Sequence, residues 1–446
     1  MNKRFLLLRF RKAAYALRGG FLVRPMMIAL VLGLAGGVLS SLEEWEPALH
    51  GWVPETLFPS DQDPQVAQTI LSTIATSIMT VVSIVFAILL MTLTLASTQF
   101  SPRILVSFVR DRTTQWTLGM FLGTFCYCIA TLPAVRSLPH AFVPVATVTG
   151  AMLLAPLCVG WLIYFINHIS QAISVNQIVD RIASETERVI DELMTERRSP
   201  YPMPEVLPSG QAEPAFPIVN RQSGYIRFVD IDALCALAKA YHITVRLERR
   251  VGHFVPAGIP LLSISRRDRV SGDRELDLLG TIDIGPTRTL LQDVEFGIIQ
   301  IVDIALRAIS PAVNDPSTAI SCVDQLSRIL ILWVARVPPQ RFCYDPPHVL
   351  RVVMPWISFD GLLDTAFEQI RHYAVTDAAV SLRLLRALDD IASTTEEAPI
   401  HQAILRLAAR VMADCTGRLH ADDLIKLQWR LASIKSRIAV SAVTPS

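Results

Sequence analysis

Charge is what this chain of 446 residues is short of: Lys and Arg number 41, Asp and Glu 40, together 18% of the sequence. Soluble domains carry roughly a quarter charged residues, which argues against a wholly soluble protein. The net charge of +1 offers no basic excess with which to hold nucleic acid or another polyanion. Phosphate-cradling glycine loops are missing too: there is no GxGxxG, no GxxxxGKS or GxxxxGKT, and no GxSxG. ATP-driven transport, dinucleotide redox chemistry and α/β-hydrolase catalysis therefore lack their sequence hooks. The seven cysteines, Cys126, Cys128, Cys158, Cys235, Cys322, Cys343 and Cys415, fall at spacings that match neither a zinc site nor a disulfide framework. They read as small apolar residues in a reducing compartment. Neither metal nor cofactor is expected.

What is present is apolar and concentrated. Residues 25–42, 67–98, 118–135 and 141–165 together hold 93 residues without one Asp, Glu, Lys or Arg. Each run is at or above the length that crosses a hydrocarbon core of about 30 Å as a helix. Outside them, 81 charged residues among 353 make 23%, an ordinary soluble share. The chain reads as an α-helical integral membrane protein with four transmembrane helices and an α+β, mainly helical cytoplasmic C-terminal domain. Orientation follows from the basic residues of the loops. Residues 1–24 carry Lys3, Arg4, Arg9, Arg11, Lys12, Arg18 and Arg24 and no acid, whereas the 43–66 loop has Glu43, Glu44, Glu46, Glu55, Asp61 and Asp63 and no base. The loop after the second run has Arg103, Arg110 and Arg112, and the one after the third Arg136 alone. Both termini are expected in the cytoplasm of a bacterial cell, and the four runs in its inner membrane.

Past residue 165 the pattern changes. A cytoplasmic helix and a linker with six prolines occupy 166–217. A small β-rich module follows at 218–285, in which Asp230 or Asp232 is placed to cap a helix and Gly252 and Pro256–Gly258 break the strands. The remainder, 286–446, reads as a helical domain whose SPAVNDP corner places Asp315 as N-cap and Pro316 at the first helical position.

Two segments carry a resemblance. QFSPRILVSFVRDRTTQ (99–115) and RTLLQDVEFGIIQIVDIALRAISPAVNDPSTA (288–319), together with NHISQAISV after the fourth run, resemble a bacterial family of predicted integral membrane proteins filed as a domain of unknown function. The match covers nearly the whole chain. It implies the topology above and a cytoplasmic C-terminal domain, and it implies no established activity. Where that family often has a His pair after the fourth helix, this chain has Asn167–His168.

Three groups of residues could carry function. Along the second run, Thr69, Thr73, Thr76, Thr80, Ser83, Ala87, Thr94 and Ser97 recur at alternating steps of four and three. They set small or hydroxylated residues on one seam, for helix packing or for lining a path in a homo-oligomer. The seam holds no ionisable side chain, which speaks against a proton relay. Gln99, Arg103, Arg110 and Arg112 lie at the inner mouth, where they anchor the helix, ring a vestibule or hold acidic lipid. A polar cluster, Gln292, Asp293, Glu295, Gln300, Asp303, Arg307, Asn314 and Asp315, serves as a structural network, a cation site or an acid–base pair. The leading reading is a homo-oligomeric channel or passive transport protein for a small ion or solute, with a regulatory cytoplasmic domain. The alternatives are a membrane-anchored scaffold or sensor and, third, a membrane-bound enzyme using Asp293, Glu295 and Asp303. The expected partners are the lipid bilayer and further copies of the chain, not nucleic acid.

Overall fold

The structure, a computed structural model, describes residues 23–46, 63–99, 112–136, 142–172, 174–196, 215–337, 341–345 and 349–443. Lys3 to Arg18 of the basic start, Glu55, Asp61, Arg103, Arg110 and most of the Pro-rich linker lie outside those residues. The chain divides into two compact units, residues 1–174 and 175–446.

The first unit is helical: α1 (Val23–Trp45), α2 (Pro64–Gln99), α3 (Arg112–Thr131, continued by a 3₁₀ turn at Leu132–Ala134) and α4 (Val145–Ala172). Each is an apolar helix long enough to cross a membrane. α3 is the hub, with Leu118, Phe121, Thr124 and Cys128 at 1% exposure or less. Glycines let α1 lie on it. A Cβ on Gly119 or Gly123, a GxxxG pair of α3, would strike Ile28 and Leu32, and one on Gly36 of α1 would come 2.7 Å from the Tyr127 carbonyl oxygen. Such reciprocal small residues allow backbones to approach where lipid gives no hydrophobic drive for association.

One end of this bundle is tied by a buried acid. Glu43, 1% exposed, accepts from the backbone N–H of Ala146 (2.6 Å) and of Thr147 (3.1 Å) and from the Thr147 hydroxyl (2.9 Å). These are first-turn donors of α4, which a helix cannot satisfy internally, and a carboxylate there also meets the positive end of the helix dipole. The Tyr127 hydroxyl donates to the Thr147 carbonyl at 3.0 Å. Glu43, counted from sequence as a loop charge, is a structural link between α1 and α4.

The second unit is α+β. α5 (Val175–Leu193) leads in, followed by β1 (Thr195–Glu196), β2 (Phe216–Val219), β3 (Gly224–Val229), α6 (Ile231–Ala240), β4 (Val245–Leu247), β5 (Phe254–Val255), β6 (Pro260–Ile264), α7 (Gly272–Leu279) and β7 (Ile282–Gly285). Then come α8 (Val294–Ala308), α9 (Pro316–Ala335), β8 (Arg336–Val337), β9 (Phe342–Asp345), β10 (Val349–Val353), α10 (Phe359–Tyr373), α11 (Ala378–Ala392), α12 (Ala398–Cys415) and α13 (Ala421–Val443). A five-stranded sheet has the order β2-β6-β4-β10-β9, a three-stranded one β5-β3-β7, and β1 pairs β8. β10 runs parallel to β4, so the sheet recruits strands from a stretch that reads as helical from sequence. Its core is Ile226, Leu234, Val245, Leu247, Leu262, Ile264 and Val352.

The caps form as the residue types dictate. Asp230 accepts from Ala233 N–H at 3.0 Å, and Asp315 from Thr318 N–H at 3.1 Å and its hydroxyl at 2.6 Å. These bonds to the Thr318 hydroxyl and backbone hold the Asp315 carboxyl below its ordinary range. α9 is a fifth helix long and apolar enough to cross a membrane. It nevertheless carries Asp324, ion-paired with Arg383, and Arg328, ion-paired with Asp180 (2.8 Å) and Glu187 (2.5 Å).

Candidate functional site

Three places gather the residues that could act. The first is the outward side of α2. Ala67, Leu71, Ala75, Ile78, Val82 and Val85 are buried against the bundle, whereas Thr69, Thr73, Thr76, Thr80, Ser83, Ala87 and Thr94 are all exposed. The side chain of Ser97 lies outside the described residues. Gln65, Gln68, Ser72 and Ser77 share the exposed side, so from residue 65 to 83 it is mostly amide and hydroxyl. Other helices of the bundle differ: α1 exposes Met26, Leu30, Val31 and Leu34, and α4 exposes Leu153, Leu157, Val159 and Ile163. Most of these hydroxyls donate within their own helix, as residues in an apolar medium require. Thr69 donates to the Gln65 carbonyl at 2.7 Å, Thr76 to Ser72 at 2.8 Å, Thr80 to Thr76 at 3.1 Å, Ser83 to Met79 at 3.0 Å and Thr94 to Leu90 at 2.8 Å.

The second place is where α3 begins and α4 ends. Arg112, Thr113, Trp116, Trp161 and Tyr164 enclose an open cavity of about 450 Å³. Trp161 donates its indole N–H to the Thr117 hydroxyl at 2.9 Å, and Tyr164 stacks on His168, with centroids 6.3 Å apart. An Arg among amphipathic aromatic rings is the composition of a membrane–water boundary. Gln99 ends α2, and its side chain, like Arg103 and Arg110, lies outside the described residues.

The third is the polar cluster, which the structure divides. Asp293 caps α8, accepting from Phe296 N–H at 3.1 Å, and its two oxygens take Arg288 Nε and Nη2 at 2.8 Å each. Arg288 reaches on to Glu295 Oε2 at 3.1 Å. Arg250 donates to the other Glu295 oxygen at 2.7 Å and to His253 Nε2 at 2.7 Å. Burial pushes the Asp293 carboxyl above its ordinary value, even against Arg288, and burial with the nearby Arg250 lowers the His253 imidazole. The loop fits because residue 252 is glycine: its φ is +89°, and a Cβ there would collide with the Asp293 carboxylate.

Gln292 stands apart in role. Its carboxamide accepts from Val229 N–H (2.9 Å) and donates to Val229 C=O (3.1 Å), continuing the β3 ladder with a side chain. Gln300 is buried within α8, Asp303 half-buried, and Arg307 exposed at its last turn. Asn314, at φ +51°, turns the corner into the α9 cap. The cavity beside the cluster, bounded by Leu193, Met194, Arg250, Trp333 and Trp356, measures about 30 Å³. That volume suits one or two waters. Among the described residues no group of three His, Cys, Asp or Glu could hold a metal.

Arg250, His253 and Arg288 complete the network and were not among the candidate site residues. His253 reads as a lone histidine, and Arg288 shows only as the first letter of the QD-containing motif. The partner of Asp293, Arg288, lies five residues before it, and that of Glu295, Arg250, comes from a strand-breaking loop 45 residues away.

A bundle of long apolar helices joined in sequence to a mixed α/β unit is the make-up of a membrane protein with several apolar helices. The chain belongs to the family described as predicted membrane protein (DUF2254), whose pattern matches residues 18–390. It is 33% identical over 414 residues to an uncharacterized protein of Mycobacterium tuberculosis (strain ATCC 25618 / H37Rv), covering 91% of this chain and 78% of that one. An uncharacterized protein of Mycobacterium bovis gives the same identity and coverage. No solved structure matches.

Proposed function

We propose that the protein is a homo-oligomeric channel or passive transport protein of the bacterial inner membrane, with α2 from several copies lining the path. α1–α4 are its four spans, both termini face the cytoplasm, and residues 175–446 form a regulatory domain there. The observation that carries this reading is the exposure of the α2 seam. An amide- and hydroxyl-bearing surface from Gln65 to Ser83 spans about 27 Å at 1.5 Å per residue, most of a hydrocarbon core. Left against lipid it has neither the packing of bulky side chains nor a polar neighbour. Set around an axis, equivalent seams supply each other. The alternation of four- and three-residue steps is the 3.5-residue repeat of helices that wrap together left-handedly. A hydroxyl-lined, charge-free path suits small ions or neutral solutes moving down a gradient.

α9 stays with the extramembrane unit in this reading. Cys322, Val323, Leu326, Ile329 and Leu330 are fully buried in its core, and its charged side is paired as described above.

Reconstitution into planar bilayers, with and without Thr76→Cys cross-linking between copies, tests the proposal. Conductance that cross-linking alters is the expected result. A monomeric detergent particle with no conductance at any voltage, tension or pH overturns it.

A further inference from the structure

Two of the seven cysteines belong together. Cys235 sits on α6 and Cys343 on β9, and both pack on the same apolar cluster. A salt bridge sets their register: Lys239 Nζ meets Asp345 Oδ1 at 2.7 Å. Lys239 is one turn beyond Cys235, about 6 Å along a helix, and Asp345 is two residues beyond Cys343, just under 7 Å along the same strand face. The matched steps set the two cysteines at the same level of helix and strand. The Cys235 thiol is hydrogen-bonded to the Cys343 sulfur, which holds Cys343 below the usual thiol range and pushes Cys235 above it. Both are half-buried, while Cys322 and Cys415 of the same unit are buried, and β9 is an edge strand within reach of a small oxidant.

We propose that Cys235 and Cys343 are an oxidisable dithiol that hydroperoxides convert to a disulfide. The Cys343 thiolate attacks one peroxide oxygen. The S–O bond forms as the O–O bond breaks, and the departing oxygen takes a proton and leaves as water or an alcohol. The Cys235 sulfur then attacks Cys343; the S–S bond forms, the S–O bond breaks, and the hydroxyl leaves as water with the Cys235 proton. Two thiols give up two electrons and the peroxide accepts both. A depressed thiol beside a protonated resolving one is the arrangement that redox-responsive cysteines share. The bond staples α6 to the sheet edge across a long loop of chain, which restricts the unfolded ensemble.

The full chain, purified in detergent with reductant and then desalted, is treated with hydrogen peroxide, and free thiols are capped with N-ethylmaleimide. Mass spectrometry of peptides is expected to find Cys235 joined to Cys343, two alkylation sites lost of seven, and a raised thermal midpoint that dithiothreitol reverses. Cys235→Ser should strand Cys343 as a sulfenic acid captured by dimedone. The inference is overturned if both cysteines stay alkylatable in the wild-type chain, or if Cys343 pairs elsewhere. The wild-type peptide map decides the matter even where Cys235→Ser fails to fold.

Discussion

Replacing Arg288 with Leu removes three charge-assisted hydrogen bonds at once: two to Asp293 at 2.8 Å and one to Glu295 at 3.1 Å. The two carboxylates do not suffer equally. Glu295 keeps Arg250 at 2.7 Å, whereas Asp293, whose side chain is 3% exposed, keeps only the Phe296 N–H. Breaking a buried ion pair by deleting one partner costs about 3–5 kcal/mol, most of it the desolvation of the group left behind. For a unit of this size that lowers the melting midpoint by about 10 °C. The deficit should also depend on pH. Burial already raises the Asp293 carboxyl above 3.8 in the folded chain, and losing Arg288 raises it further. The folded state then holds a proton that the unfolded chain has released. Stability present below the unfolded value is therefore lost as pH climbs through the folded one. The variant should be closest to wild type in acid and fall furthest behind near pH 7.5. Thermal unfolding in detergent, read by tryptophan emission, is a suitable assay because Trp333 and Trp356 border the adjoining cavity. Adding Asp293→Asn, which retains a capping side chain, should recover part of the loss at neutral pH. A deficit below about 1 kcal/mol, well under that expected for a broken buried pair, or one equal at pH 5 and pH 7.5, refutes the reasoning.

Two further outcomes follow from the geometry. Gly252→Ala forces an L-residue to φ +89° and drives a Cβ into the Asp293 carboxylate, a loss of at least about 2 kcal/mol; an unchanged melting curve would contradict it. Glu43→Gln removes the charge from the α4 N-terminus and leaves one oxygen to serve three donors. It should cost about 1–3 kcal/mol, visible as faster unfolding of the detergent-solubilised protein in sodium dodecyl sulfate, and equal rates would count against the link.

Local signals carried much of the fold. Four uncharged runs match four helices because length and apolarity are properties of contiguous residues. Asp230 and Asp315 cap as expected because a cap bonds to a donor three residues away. The α2 seam is equally local, being a period within one helix. Non-local pairing was out of reach: the parallel contact of β10 with β4 joins residues about 100 apart, and no spacing announces it. The candidate polar cluster was incomplete for the same reason. Asp293 and Glu295 were visible on one helix, but Arg250 and Arg288 are set by where a loop and a strand end come to rest. The thiols of Cys235 and Cys343 became a pair only once α6 lay across the sheet edge. Glu43 shows the reverse case, an acid whose position in sequence suggests solvent and whose fold makes it a tether.

The internal bonding of the α2 hydroxyls also affects how the helix exchanges neighbours. Each Thr and Ser bond described runs back to a carbonyl of the same helix, so the proton stays committed whatever lies alongside, and the oxygen keeps a lone pair to offer. Lipid, water or a second helix can succeed one another on that side without stranding a donor. Among the described contacts, the link from Gln68 to the Val135 carbonyl, at 3.3 Å, ties the helix to its own bundle from this side. A turn of α2 about its axis is therefore resisted chiefly by shape, through the close fit of Ala67, Leu71 and Ala75, and hardly at all by chemistry.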